Sequence, residues 1–220
     1  KAHSFSLPYP IIHRRRHFPD SRPSRNTEPR KSRLLISKSL TATLLFALPI
    51  TAGLLLASED IVRLLYGNEY LPAIFAFQIL AGTLLIMFPV SILHNAIFAY
   101  DRQKFLMRVS IVGIMLNAIF DLILIPIWGI TGAAIATLCT QVIIGAAMWH
   151  KAKRLNSFSV LHALPKITFA TLIMGLSVVL LNQLNLSVLL IIFFAALVYA
   201  ATLFLLKETL LRDLKAILVN

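Results

Sequence analysis

Six apolar stretches follow one another along this chain, at about 39–57, 72–99, 105–125, 129–149, 165–183 and 186–206, and the positive charge between them falls on alternate sides. Each stretch is long enough to cross a hydrocarbon core of about 30 Å, which takes ~20 helical residues. One set of flanks holds Lys38; Arg102 and Lys104; Lys151, Lys153, Arg154 and Lys166; and Lys207, Arg212 and Lys215. The other set holds Arg63 alone, against Glu59, Asp60 and Glu69, and its turns at 126–131 and 182–186 carry no charge. Lys and Arg are retained on the cytoplasmic side of a membrane. The pattern predicts an all-α, polytopic integral membrane protein with six transmembrane helices and both termini in the cytoplasm.

Composition leaves little room for another class. The chain is 58% hydrophobic and 14% charged, where a soluble domain carries about 25% charged residues. Backbone groups in lipid must be satisfied internally, and the ~10-residue alternation of a transmembrane barrel is absent. The net charge of +12 is not a nucleic-acid signature, because +7 of it lies in residues 1–33. That basic, Pro- and Ser-rich segment has no helical apolar period and is expected to lack an ordered fold; its charge suits anionic lipid. The expected organisation is therefore a basic segment, 1–33, and a six-helix transmembrane domain, 34–220. Cys139 stands alone, which rules out an intrachain disulfide and a cysteine metal site.

Proline and small residues shape the helices. Pro49 and Pro89 fall inside the first two stretches, where each removes an intrahelical hydrogen bond. Ser58–Leu71 reads as an amphipathic end of the first helix, a turn at Gly67-Asn68, and Tyr66 and Tyr70 at the interface. Gly129, Ala133, Thr137 and Gln141 form one row at helical spacing, and Gly132, Ala136 and Thr140 the next. Such rows serve either close helix packing or a polar stripe along a cavity. The fifth and sixth stretches are uniformly apolar and are expected to face lipid.

No phosphate loop, His-Glu-x-x-His motif or carboxylates paired on a helix face are present, so no catalytic residue, cofactor or metal site is expected and the chain does not read as an enzyme. The polar residues inside the spans are the candidates, since such groups are costly there. Asp121 is the one acidic residue within a span, with Asn117 four residues earlier on the same face. The pair is either a helix–helix hydrogen-bonding element or an ion-coupling, cavity-lining group. With the helix ending before Pro126, Asp121 would lie about a turn from its end. His94 and Asn95 offer an interhelical hydrogen bond or a proton-sensitive imidazole. Arg108 either snorkels to the cytoplasmic face or binds a phosphate. Arg63 has the same two readings on the outer side, with Glu59 as an i,i+4 partner.

Several pieces carry a family resemblance: Leu48-Pro49-Ile50 with Gly53; Asp60-Ile61 with Leu64-Leu65-Tyr66-Gly67-Asn68-Glu69-Tyr70; Ala73 and Gln78-Ile79-Leu80; Asn117 with Ile125-Pro126; and the run from Gly129 to Thr137. In order and spacing the chain resembles the C-terminal part of polysaccharide-biosynthesis (O-antigen and exopolysaccharide) flippases of the multidrug/oligosaccharidyl-lipid/polysaccharide exporter superfamily. The resemblance implies a two-lobe helical fold around a central cavity in the inner membrane. It also implies movement of lipid-linked oligosaccharide across the bilayer by alternating access. The implied partners are membrane lipid, the lipid-linked substrate, and a missing N-terminal lobe or polysaccharide assembly proteins, with no nucleic acid. Asn117, Asp121, Thr137 and Gln141 would then line the cavity. The family has twelve to fourteen helices, so this chain is expected to be part of one. The alternatives are an ion-coupled drug antiporter of the same superfamily, or a truncated fragment with no transport of its own.

Overall fold

The structure, a computed structural model, describes residues 27–156, 158, 164–184 and 187–206. All are in helices or short connections, with no strand among the described residues. The helices are α1 (Thr27–Leu56), α2 (Ser58–Tyr66), α3 (Ile74–Ala99), α4 (Gln103–Leu155), α5 (Leu164–Asn182) and α6 (Val188–Leu205), with a short 3-10 turn, Asn68–Ala73, before α3. Residues 1–26, most of the basic segment, lie outside the described residues. The helix nevertheless begins at Thr27, inside the segment expected to be without order. Thr-Glu-Pro is a helix-start signal, and Pro29 lacks only an N–H that the first turn leaves unbonded.

Among the described residues five helices are long and apolar enough to cross a membrane, and the six expected spans are recovered because α4 is two of them. Its 53 residues would reach ~80 Å if straight. It bends at Gly129, whose φ of 57° and ψ of −132° fit only a residue without a β-carbon. The first arm, 103–128, and the second, 130–155, then fold against each other. Gly113 faces Ile144, and Gly132 meets the backbone of Leu124. Eleven residues up one arm correspond to twelve down the other, so the arms run antiparallel.

The helices form a row in the order α6, α5, α1, α3, α4. The largest core cluster joins Ile36 and Leu40 of α1, Leu93 and Ile97 of α3, Leu106 and Val109 of the first arm, and Met148 and Ala152 of the second. These come from the start of one helix, the end of the next, and so on. The ends that carry Lys38, Arg102, Lys104 and Lys151–Arg154 therefore share one pole. A second cluster unites Leu45, Ile167, Ala170 and Leu203, and a third, farther from that pole, unites Met174, Val178, Ile191 and Ala195.

Small residues share the interior with the Leu and Ile of these clusters, and other large residues face outward. Ala47, Ala76, Ala134, Ala136, Ala170 and Ala195 are buried, while Leu122, Leu172, Leu189 and Phe204 are at least two-thirds exposed. Small residues let backbones approach, and large ones face a solvent as apolar as themselves. α2 has Ser58 and Val62 buried, with Leu64, Leu65 and Tyr66 exposed beside Tyr70, the pattern of a helix lying in the interface.

Pro49 leaves the carbonyl of Leu45 without its usual amide donor. The Tyr199 hydroxyl of α6 donates to that carbonyl at 2.7 Å. Gln78 Nε2 of α3 likewise donates to the buried Ser58 Oγ at 2.8 Å, tying the interfacial helix to the bundle.

Candidate functional site in the bent helix

The polar residues of α4 are brought to two layers by its bend. By the register of the arms, Asn117 lies level with Thr140, and Asp121 with Ile135 and Ala136, one turn or less from Gln141 and Thr137. Asn117 Nδ2 donates to Asp121 Oδ2 at 2.6 Å, and both residues are part-exposed. The amide holds the carboxylate along one helix face. Because α4 continues through Pro126 to Gly129, Asp121 lies eight residues, or ~12 Å, from the bend. It sits deeper than a helix ending before Pro126 would place it.

The second arm separates its two small-residue rows. Gly132, Ala136 and Thr140 are buried, whereas Ala133, Thr137 and Gln141 are half-buried and Gly129 is exposed. The first row is packing; the second is left as a partly open stripe. Thr137 Oγ1 donates to the carbonyl of Ala133 at 3.0 Å. The Thr140 hydroxyl is buried with no partner among the described residues. Among the described residues no hydrogen bond crosses between the arms to join these candidates, so the fold brings them to common depths and links only Asn117 with Asp121.

The remaining candidates lie apart from this pair. His94 and Asn95 are exposed near the end of α3 and make no hydrogen bond among the described residues, so the interhelical bond expected of them is not formed there. Arg108 is exposed and its Nε donates back to the Lys104 carbonyl at 3.2 Å, the direction of snorkelling toward the basic pole. Arg63 pairs with Glu59 at 2.7 Å in the open, where such a pair stabilises by only ~0.3–0.5 kcal/mol. No grouping of His, Cys, Asp or Glu that could hold a metal occurs among the described residues.

Two features escaped the sequence reading. The first is a polar clasp at the basic pole. Asn156 Nδ2 donates to the Tyr100 hydroxyl at 3.0 Å, Ser32 and Tyr100 share a hydroxyl–hydroxyl bond of 2.8 Å, and Arg33 Nε reaches Asn156 Oδ1 at 3.4 Å. It joins the end of α3 and the end of α4 to α1. Its only sequence signal is a Tyr and an Asn placed just after two helix ends. The second is an apolar groove of about 380 Å³ beside Pro49, between α1 and the α5–α6 pair, with Ile50, Gly53, Val178 and Ile191 among its walls.

A row of spanning helices with small residues inside, a proline break capped by a neighbour, and a polar pair held within a span define a multi-pass membrane protein. The model of the family "Lipid II flippase MurJ" matches residues 19–200, and the chain belongs to that family. It is also similar to a solved structure, a lipid II flippase MurJ in an inward closed conformation, with a TM-score of 0.71 and 21% identity over 86% of this chain and 41% of that one. Among curated proteins it is 31% identical over 114 residues to the probable low-salt glycan biosynthesis flippase Agl15 of Haloferax volcanii, covering 52% of this chain and 24% of that protein. It is 31% identical over 104 residues to an uncharacterised membrane protein of Methanocaldococcus jannaschii, covering 47% of this chain and 20% of that protein. The matches thus span from a fifth to two-fifths of these relatives' own lengths. The family shown, that of MurJ, lies within the expected superfamily.

Proposed function

We propose that this chain forms the C-terminal part of a two-lobe flippase that carries lipid-linked oligosaccharide or polysaccharide repeat units, such as those of O-antigen or exopolysaccharide, from the inner to the outer leaflet of the cytoplasmic membrane. The observation that carries this reading is the family match over 19–200, joined to a polar pair held within a span. A phosphate-bearing saccharide head cannot enter hydrocarbon, because unpaired polar groups there are costly. Asn117, Asp121, Thr137 and Gln141 offer hydrogen bonds in place of water. Arg108 and Arg63, near opposite ends of the spans, provide cations for the phosphate as it enters and leaves. The groove beside Pro49 leaves an apolar lateral path for a polyprenyl tail. The basic pole faces the cytoplasm, with both termini there, and the second lobe is supplied by sequence or a partner outside this chain.

A second reading, an ion-coupled small-molecule antiporter of the same superfamily, draws on the depth of Asp121, since an ionisable residue within a span is a candidate for proton or cation coupling.

Translocation separates the two. The full-length protein is reconstituted into vesicles with a fluorescent lipid-linked oligosaccharide, and a membrane-impermeant reductant is added outside. A protein-dependent second phase of quenching is expected. Its absence at normal incorporation, with ion-driven uptake of a soluble cation instead, overturns the flippase reading.

A further inference from the structure

At the basic pole a crevice of about 730 Å³ opens between α3 and the second arm of α4. Its walls are apolar, formed by Ile86, Val142, Gly145 and Ala146, and its mouth carries Trp149, His150 and Lys153. A second apolar space of about 340 Å³ shares Ile86, Gly145 and Trp149 with it and continues inward past Pro89 and Leu93. From Lys153 to Val142 the wall runs eleven residues along α4, ~16 Å at the helical rise. This is the profile of a site for an amphipathic molecule, with a cation at one end and an open apolar groove behind it.

The cation is held in place. Lys153 Nζ donates to the Phe158 carbonyl at 2.9 Å. It lies 5.6 Å from the centre of the Trp149 ring and 5.1 Å from that of Phe158, and these two rings meet edge-on at 5.1 Å. An ammonium has three donors, and one is used here. Lys153, Lys151, Arg154 and His150 have no carboxylate partner among the described residues. A lysine normally loses rotamer freedom when it binds an anion. This one has already lost it, with its charge unneutralised.

From these observations we infer that the crevice binds an anionic phospholipid of the leaflet at that pole, its phosphate on Lys153 and one acyl chain along Ala146 and Val142. A soluble anion has no use for the apolar slot. A zwitterionic lipid brings its own cation into a positive cluster. The inference uses none of the residues assigned to substrate and stands whether or not the chain is a flippase.

The chain has two tryptophans, which gives a direct test. In the full-length protein, with any tryptophans outside this chain also replaced by Phe, Trp128→Phe leaves Trp149 as the reporter. The protein is placed in phosphatidylcholine nanodiscs containing a minor fraction of phosphatidylglycerol or phosphatidylcholine with brominated acyl chains, which quench tryptophan on contact. Brominated phosphatidylglycerol is expected to quench Trp149 about threefold more effectively than the phosphatidylcholine analogue at equal fraction, as charge attraction of this kind allows. Lys153→Gln keeps a donor for Phe158 and should remove the preference. Ala146→Phe, on the exposed side of the arm, should reduce quenching by both lipids, and it carries the test if the first variant fails to fold. Trp149→Phe, which leaves Trp128, should show no preference. Equal quenching of Trp149 by the two lipids overturns the inference, as does a preference that survives Lys153→Gln. Displacement of phosphatidylglycerol by a stoichiometric polyprenyl diphosphate would assign the crevice to cargo and overturn it as well.

Discussion

The hydroxyl of Tyr199 in α6 is bonded at 2.7 Å to the carbonyl of Leu45 in α1, the carbonyl that Pro49 deprives of an amide donor. A break in one spanning helix is thus closed by another that lies 154 residues later in sequence. In lipid no water can take that role. Tyr199→Phe should cost ~1 kcal/mol, the usual net value of such a bond. Pro49→Ala restores an N–H to Leu45, so in that background the same Tyr199→Phe change should cost much less. Thermal unfolding in detergent of the four proteins of this cycle measures the coupling. Equal costs in both backgrounds would show that the hydroxyl does not serve the proline break.

The bend in α4 rests on two glycines for different reasons. Gly129 has the dihedral angles that side chains avoid, with open space around it. Gly129→Ala should therefore cost ~1–3 kcal/mol through backbone strain alone. A β-carbon on Gly132 would overlap the Leu124 carbonyl, and a backbone atom cannot move aside as a side chain does. Gly132→Val should destabilise at least as much, in the range of ~1–3 kcal/mol or above for overpacking, and should open the arms. Gly53 is a helical glycine with nothing nearby, and Gly53→Ala should be neutral or stabilising by up to ~1 kcal/mol. Unfolding midpoints that rank these three differently would contradict the hairpin.

Asn117 and Asp121 are expected to act as one unit. Asp121→Ala should lower translocation about tenfold, which corresponds to ~1.4 kcal/mol in the barrier, with protein abundance unchanged. Asn117→Ala should do part of the same, and the double variant should be no worse than Asp121→Ala. Additive losses, measured in the vesicle assay, would mean that each residue acts alone.

At the basic pole, Tyr100→Phe removes the hydroxyl that joins Ser32 to the buried Asn156. Loss of such a hydrogen bond costs ~1 kcal/mol. Hydrogen exchange should rise in the first turns of α1 and at the end of α4, and not around Gly129. Uniform exchange would show that the clasp does not fasten that pole.

The spans were legible because hydropathy and charge sidedness act over whole stretches, and both survive small errors in helix boundaries. Asn117 and Asp121 were legible as a pair because four-residue spacing on a helix leaves them little choice. What escaped were features set by one residue's backbone or by distant partners. Pro126 looked like a helix end, yet the helix tolerates it and turns three residues later, where only Gly129 has the required freedom. The two small-residue rows of the second arm read alike in sequence, and only the packing against the first arm and α3 separates the buried Thr140 from the half-open Thr137. The clasp of Ser32, Tyr100 and Asn156 joins residues up to 124 positions apart and has no local pattern to announce it.

One 53-residue helix makes two crossings, with its two ends at a common pole. Cys139 is the only cysteine in the chain, so Cys139→Ser, with any cysteine outside it also replaced, gives a background for single reporters. Lys104→Cys, Trp128→Cys and Arg154→Cys are then labelled in intact cells with a membrane-impermeant maleimide. The account predicts that the cysteine at 128 reacts from outside, and that those at 104 and 154 react only after permeabilisation. Labelling of 104 and 154 from opposite sides would contradict it.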